Sequence, residues 1–284
     1  MATPSPTVRR KRLGIELRRL REHAELTCED VGRRLECSGT RISRMETGRI
    51  SVRPGDAREL LEVYGVTGAA ADALVQLARE ARRKGWWHTY SRVLPHWFEP
   101  YIGLESEAVR LRDFQPLVIP GLLQTEDYAR AVLRAAPLAG GSAEIDRLVD
   151  LRMERQKILG QDGPPNLWVV LSESVLRVHV GGPAVMRAQL LRLAELAGRP
   201  NVTVQVLPYT TAAHVHPVSP FTMLEFADAA DPAVVYLEHL TGSLFLENED
   251  EVRRYRVVFD HLCAEALDAG QSAGLIAHKA AELA

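Results

Sequence analysis

The stretch from Leu13 to Gly48 constrains this chain more than any other. Leu13, Leu17 and Leu20 recur at spacings of four and three, the apolar stripe of an amphipathic helix. That helix is expected to stop near Ala24, with a turn at Glu25-Leu26. Thr27 then precedes Cys28-Glu29-Asp30, so its hydroxyl can cap a second helix. Asp30, three residues on, stands in for the longer acid of a capping box. Val31 and Leu35 give the second helix an apolar face, and Gly32 leaves room for another helix to cross closely. The chain turns again at Glu36-Cys37. Ser38 caps a third helix, Gly39 to Thr47, whose inward residues are Ile42 and Met45, and Gly48 terminates it.

Two short helices joined by a three- to four-residue turn, with a small residue at the crossing, make a helix-turn-helix. A generic bundle fragment has no reason to align caps, turn and core spacing in this way. The outward face of the third helix carries Thr40, Arg41, Ser43 and Arg44, and Arg49 lies just beyond its end. Such a face suits a helix lying in a DNA major groove. Arginine can bind guanine O6 and N7 with two hydrogen bonds, while hydroxyls and loop arginines take phosphates. A charged face is ordinarily only a solvated one; the motif around it carries the DNA reading.

The residues LTCEDVGRRLECSGTRISRMETG resemble the XRE-type, phage-repressor-like helix-turn-helix family, over about residues 10–75. By that resemblance, DNA contacts fall at the start of the second helix and on the third: Cys28, then Gly39, Thr40, Arg41 and Arg44. Ser38, Ser43 and Arg49 complete the candidate DNA-binding set. The resemblance also implies a structural pair between an arginine late in the first helix and the glutamate of the Ser-Arg-x-Glu motif, here Arg21 and Glu46. Two departures stand out. Glu36 holds a turn position often given to glycine in a left-handed conformation. Gly39 has no side chain, which shifts base reading to Thr40, Arg41 and Arg44.

Beyond Gly48, a loop with Arg49 and Arg53 leads into an apolar-periodic run at Leu60, Leu61 and Tyr64. Val66-Thr67-Gly68 breaks it, and an Ala-rich helix follows over 71–84 with Leu74 and Leu77 inward. Five helices are therefore expected within residues 7–85. The closing Arg82-Arg83-Lys84 run reads as a polar helix end beside its dipole ahead of a DNA contact. Charge supports a division here. Residues 1–85 hold 18 Lys/Arg and 12 Asp/Glu, a net of +6; the remainder holds 17 and 25, a net of −8, and the two give the overall −2. A polyanion-facing surface thus belongs to the N-terminal part.

Residues 86–284 form the expected second domain. All four tryptophans (Trp86, Trp87, Trp97, Trp168) lie there, and its first residues read as a connector packed on that domain. Helices are expected over 104–114, 124–136, 142–159, 184–197, 249–267 and 272–283. Strands are expected over 167–171, 202–207, 221–226 and 233–238. The fold class is therefore an N-terminal all-α, five-helix domain, then an α+β domain with one small sheet covered mainly on one face. The acidic run Glu247–Glu251 reads as the capped start of a helix.

The segments YIGLESEAVRLRDFQPLVIPGLLQTEDYARAVLRAA, RMERQKIL, NVTVQVLP and FDHLCAEAL look like the uncharacterised C-terminal domain joined to XRE-type domains in many actinobacterial regulators. That resemblance spans roughly residues 95–278 and carries two functional readings. One is a sequence-specific transcriptional regulator, acting as a repressor, whose second domain senses a ligand and makes a homodimer. The other is an antitoxin-like protein whose second domain captures a small protein encoded nearby, with DNA binding for autoregulation. Double-stranded DNA is a partner in both.

An enzyme is not expected. The chain has no Gly-x-Ser-x-Gly elbow, Gly-rich phosphate loop or His-Glu-x-x-His motif. Glu105 and Glu107, two residues apart, point away from each other on a helix. His214 and His216 could chelate, but no third ligand is placed beside them, so neither a metal nor a cofactor is expected. The longest apolar runs, such as Leu167–Leu171, fall far short of the ~20 residues of a membrane helix. The N-terminal residues also lack the apolar core of a secretory signal. Cys28 and Cys37 bracket one helix and so lie ~13 Å apart, too far for a disulfide. These features lead to the expectation of a reduced, soluble, cytoplasmic protein.

Overall fold

The computed structural model describes residues 6–82, 85–136, 140–211, 218–228 and 231–283. The chain divides into two compact units, Met1–His88 and Thr89–Ala284. Trp86 and Trp87 therefore belong with the helical unit, where composition had pointed to the second.

Among the described residues the first unit has five α-helices: α1 (Pro6–His23), α2 (Cys28–Arg34), α3 (Gly39–Glu46), α4 (Pro54–Val63) and α5 (Gly68–Glu80). Each start has a local cause. Thr27 accepts from the Asp30 amide while Asp30 accepts from the Thr27 amide, a complete capping box for α2. Ser38 accepts from the Arg41 amide at the start of α3, and Pro54 sits in the first turn of α4. The core gathers Leu13 and Leu17 of α1, Val31 of α2, Ile42 and Met45 of α3, and Leu60, Leu61 and Tyr64 from the α4 end. On α5 the deepest residues are Val75 and Ala78, with Leu74 and Leu77 packing at the margin of that core.

Two close approaches fix how these helices meet. A Cβ on Gly32 would lie 2.6 Å from the Cys37 carbonyl oxygen, so α2 can rest on the turn before α3 only with glycine there. A Cβ on Gly14 would lie 2.3 Å from the Glu46 carbonyl oxygen, so α1 passes the end of α3 under the same restriction.

Among the described residues the second unit carries one mixed sheet of six strands: β1 (Arg110–Gln115), β2 (Asn166–Ser172), β3 (Val202–Leu207), β4 (Phe221–Glu225), β5 (Val234–His239) and β6 (Gly242–Leu246). Their order is β3-β2-β1-β4-β5-β6. β1, β2 and β3 run parallel, and β4, β5 and β6 continue antiparallel from β1. The helices are α6 (Glu99–Glu105), α7 (Glu126–Ala135), α8 (Ser142–Gln156), α9 (Pro183–Ala197), α10 (Glu249–Glu265) and α11 (Ala269–Ala281).

Three expectations need correction. The helix expected over 104–114 is instead the end of α6 followed by β1. Two strands, β1 and β6, join the four expected. The sheet is also buried on both faces rather than mainly one. Phe114, Val170, Phe221, Met223 and Val235 pack against Val252, Phe259 and Leu262 of α10. On the opposite face Leu111, Val169 and Leu171 are equally buried, and the Tyr101 ring of α6 meets that of Tyr236 at 4.2 Å. A strand covered on both sides needs near-continuous apolar residues, which Leu167–Leu171 of β2 supplies.

Candidate nucleic-acid interface

The α3 helix sorts its residues by side. Ile42, Met45 and Glu46 face inward, at most 6% exposed, while Thr40, Arg41, Ser43 and Arg44 are all exposed. Arg49 is exposed just past the helix end, as is Arg53 before α4. Gly48, with φ +67°, ends the helix, its amide bonding the Met45 carbonyl. The sequence-predicted row thus forms one surface, backed by a buried row on the same helix.

Within that surface the two arginines differ. Arg41 donates from Nη2 to Asp56 Oδ2 at 3.0 Å, a half-exposed ion pair to the first turn of α4. Arg44 makes no ion pair or side-chain hydrogen bond among the described residues. Asp56 therefore holds Arg41 in a defined direction, a partner that sequence spacing could not reveal from fifteen residues away.

Other predicted residues sit differently. Ser38 is exposed, but its hydroxyl is engaged as the α3 cap. A Cβ on Gly39 would lie 2.9 Å from Glu29 Oε1 and 3.0 Å from the Glu29 amide nitrogen, so this glycine faces α2. Cys28 is half-buried against the core, its thiol 3.9 Å from Glu46 Oε2. Burial, reinforced by the Glu46 charge, pushes that thiol up from its ordinary value. Cys28 is thus half-buried, whereas Thr40, Arg41, Ser43 and Arg44 are exposed.

Arg21 and Glu46 come together beneath the surface. Arg21 donates from Nε to Glu46 Oε1 at 2.7 Å and from Nη2 to Oε2 at 3.0 Å, with a third bond from Nη1 to the Leu26 carbonyl at 2.8 Å. The hydrogen bonds to Glu46 hold the Arg21 guanidinium above its ordinary value. The Tyr64 hydroxyl is buried in the same core and has no hydrogen-bond partner among the described residues. The two turns that frame α2 are strained, with Glu25 at φ +56° and Glu36 at φ +52°.

Of the remaining motifs, Arg83 and Lys84 of the basic run and the His214/His216 pair lie outside the described residues. No group of three or more His, Cys, Asp or Glu is placed to hold a metal among the described residues. Cys28, Cys37 and Cys263 are free thiols. No described helix is long and apolar enough to cross a membrane.

An exposed basic helix on a capped turn, held by a second helix at its N-terminal side, is the arrangement of a DNA-reading helix-turn-helix. Comparison with known families agrees: residues 12–74 match a helix-turn-helix domain, which points to a DNA-binding regulator. Residues 98–278, more than half of the chain, match the domain of unknown function DUF5753, and the chain belongs to that family. No curated protein and no solved structure matches it significantly.

Proposed function

We propose that this chain is a cytoplasmic, sequence-specific transcriptional regulator of the XRE type, acting as a repressor on double-stranded DNA. The observation that carries this reading is the exposed Thr40-Arg41-Ser43-Arg44 row on α3, set against buried Ile42 and Met45. Arg44 is the principal base reader. Arg41, oriented by Asp56, reads the neighbouring base, and Arg49 binds phosphate. The net charge of +6 in the first 85 residues favours approach to a polyanion, while the acidic remainder disfavours it. Residues 89–284 act as the sensing and dimerisation domain.

Mobility-shift titrations at several salt concentrations test this, using a site selected from random DNA and an unrelated duplex. Arg44→Ala is expected to weaken the selected site by ~1–3 kcal/mol and to relax preference at one base pair. Arg49→Ala is expected to weaken both duplexes alike and lower the salt slope by about one unit. Equal losses on both duplexes for Arg44→Ala reject the base-reading role.

A further inference from the structure

The second unit holds a cavity of about 340 Å³, bounded by the 117–124 segment, α8 and the face of β1, β4 and β5 opposite α10. Its size lies at the lower end of the ~300–1,000 Å³ range of small-molecule sites. One wall is aromatic: the Phe98 and Tyr101 rings stack at 5.2 Å, and Tyr236 lies against Tyr101. Two arginines three residues apart on α8, Arg152 and Arg155, reach it from the same side.

These arginines are partnered unequally. Arg155 gives two 2.7 Å bonds to the buried Glu105 carboxylate and lies over the Phe98 and Tyr101 rings. Burial works against its charge, but Glu105 outweighs that and holds it above its ordinary value. Arg152 gives one 2.7 Å bond to the neutral Gln124 amide oxygen, and among the described residues it forms no ion pair. A guanidinium has five N–H donors, so most of its capacity is left over. Burial, then the like charge of Arg155, lowers it to about 10. It therefore stays cationic at neutral pH.

The other charges limit what could satisfy it. Asp113, buried in the cavity floor, accepts from Gln115 and Thr222. Glu238 sits exposed at the rim and accepts from the Tyr236 hydroxyl. One unmatched cation facing two carboxyl groups suits a ligand with one negative charge better than one with two.

We propose that this cavity binds a small organic monocarboxylate, its carboxylate on Arg152 and its apolar or aromatic body along the Phe98–Tyr101–Tyr236 wall. The site supplies the ligand class for the sensing role, and its regulatory meaning rests on the DNA-binding reading above.

The test uses the full chain, with calorimetry and saturation-transfer NMR. Phenylacetate and hexanoate are titrated beside their uncharged amides and inorganic phosphate. At least one carboxylate is expected to bind one per chain in the millimolar range or tighter, with its amide and phosphate at least ~10-fold weaker. Arg152→Met is expected to weaken carboxylate binding at least ~10-fold while the variant still melts cooperatively without ligand. Arg152→Lys, which keeps the cation, is expected to retain binding. The proposal is overturned if neither carboxylate binds, if an amide or phosphate binds as tightly, or if Arg152→Met binds normally. It is also overturned if Arg152→Met fails to fold and folded Arg152→Lys binds no carboxylate. Mobility shifts without ligand read the DNA function separately, so its failure leaves the calorimetric result standing.

Discussion

Arg21 and Glu46 lie 25 residues apart in sequence and meet through two hydrogen bonds, with both side chains largely shielded from water. Removing either partner leaves a poorly solvated charge, so each single alanine variant is expected to lose about 2–4 kcal/mol of stability. A double-mutant cycle by urea denaturation should return a coupling of ~1–3 kcal/mol, and no coupling would reject the pair as a unit. A second residue-scale effect concerns pH. Burial pushes the Asp113 carboxyl up to about 7 from its ordinary 3.8, despite hydrogen bonds from Gln115 and Thr222 that act the other way. Between those values the folded protein holds a proton that the unfolded chain has released, so this group makes stability fall as pH rises through that window. Above about 7 the loss is complete; on acidification it is recovered. Melting curves across that range should show a flatter decline for Asp113→Asn than for the parent. An identical slope in both proteins counts against the shift.

At the scale of elements, the turn between α2 and α3 carries a stability defect that can be repaired. Glu36 adopts φ +52°, where a side chain is strained and glycine is not. Glu36→Gly is therefore expected to stabilise the protein by about 1 kcal/mol, the relief of strain exceeding the extra chain entropy of glycine. A lower melting temperature for that variant would contradict the account. This turn was legible in sequence because its caps and core spacings act within a few residues, as Thr27, Ser38 and Ile42 do. The segment at 104–114 was not. Arg110-Leu111-Arg112-Asp113-Phe114 mixes charge and apolar residues at spacings that fit a helix as well as a strand. Pairing with β2 and β4 decides it, from residues about 56 and 110 positions away. β6 is only five residues long, and its burial pattern is too even to announce a face. The α3 surface could likewise be read from sequence, whereas the Asp56 partner of Arg41 could not. Arg152 and Arg155 carried a usable signal, two arginines three apart on one helix, but only the fold turns that face onto a cavity.

For the whole molecule, the central quantity is how many chains engage one DNA site. A single helix-turn-helix reads few base pairs, and such units gain affinity by binding two half-sites ~34 Å apart with two-fold symmetry. Large exposed apolar side chains are concentrated in the second unit, including Leu117, Leu240, Leu244 and Val257. The full chain is accordingly expected to be a homodimer of about 63 kDa, twice 31.5 kDa, and a 1–88 fragment to be a weakly binding monomer. Light scattering on a gel-filtration column reads both; a monomeric full chain or a dimeric fragment defeats the claim. The strand order carries one more consequence. β1 lies inside the sheet, yet its two neighbours are β2 and β4, so both its edges are satisfied only when residues up to 225 exist. The helices of the first unit close on one another within their own 88 residues. During synthesis from the N-terminus, the helical half can therefore fold on local contacts while β1 still waits for its partners. A nascent chain passes through an interval in which its helical unit can be complete while its sheet is not.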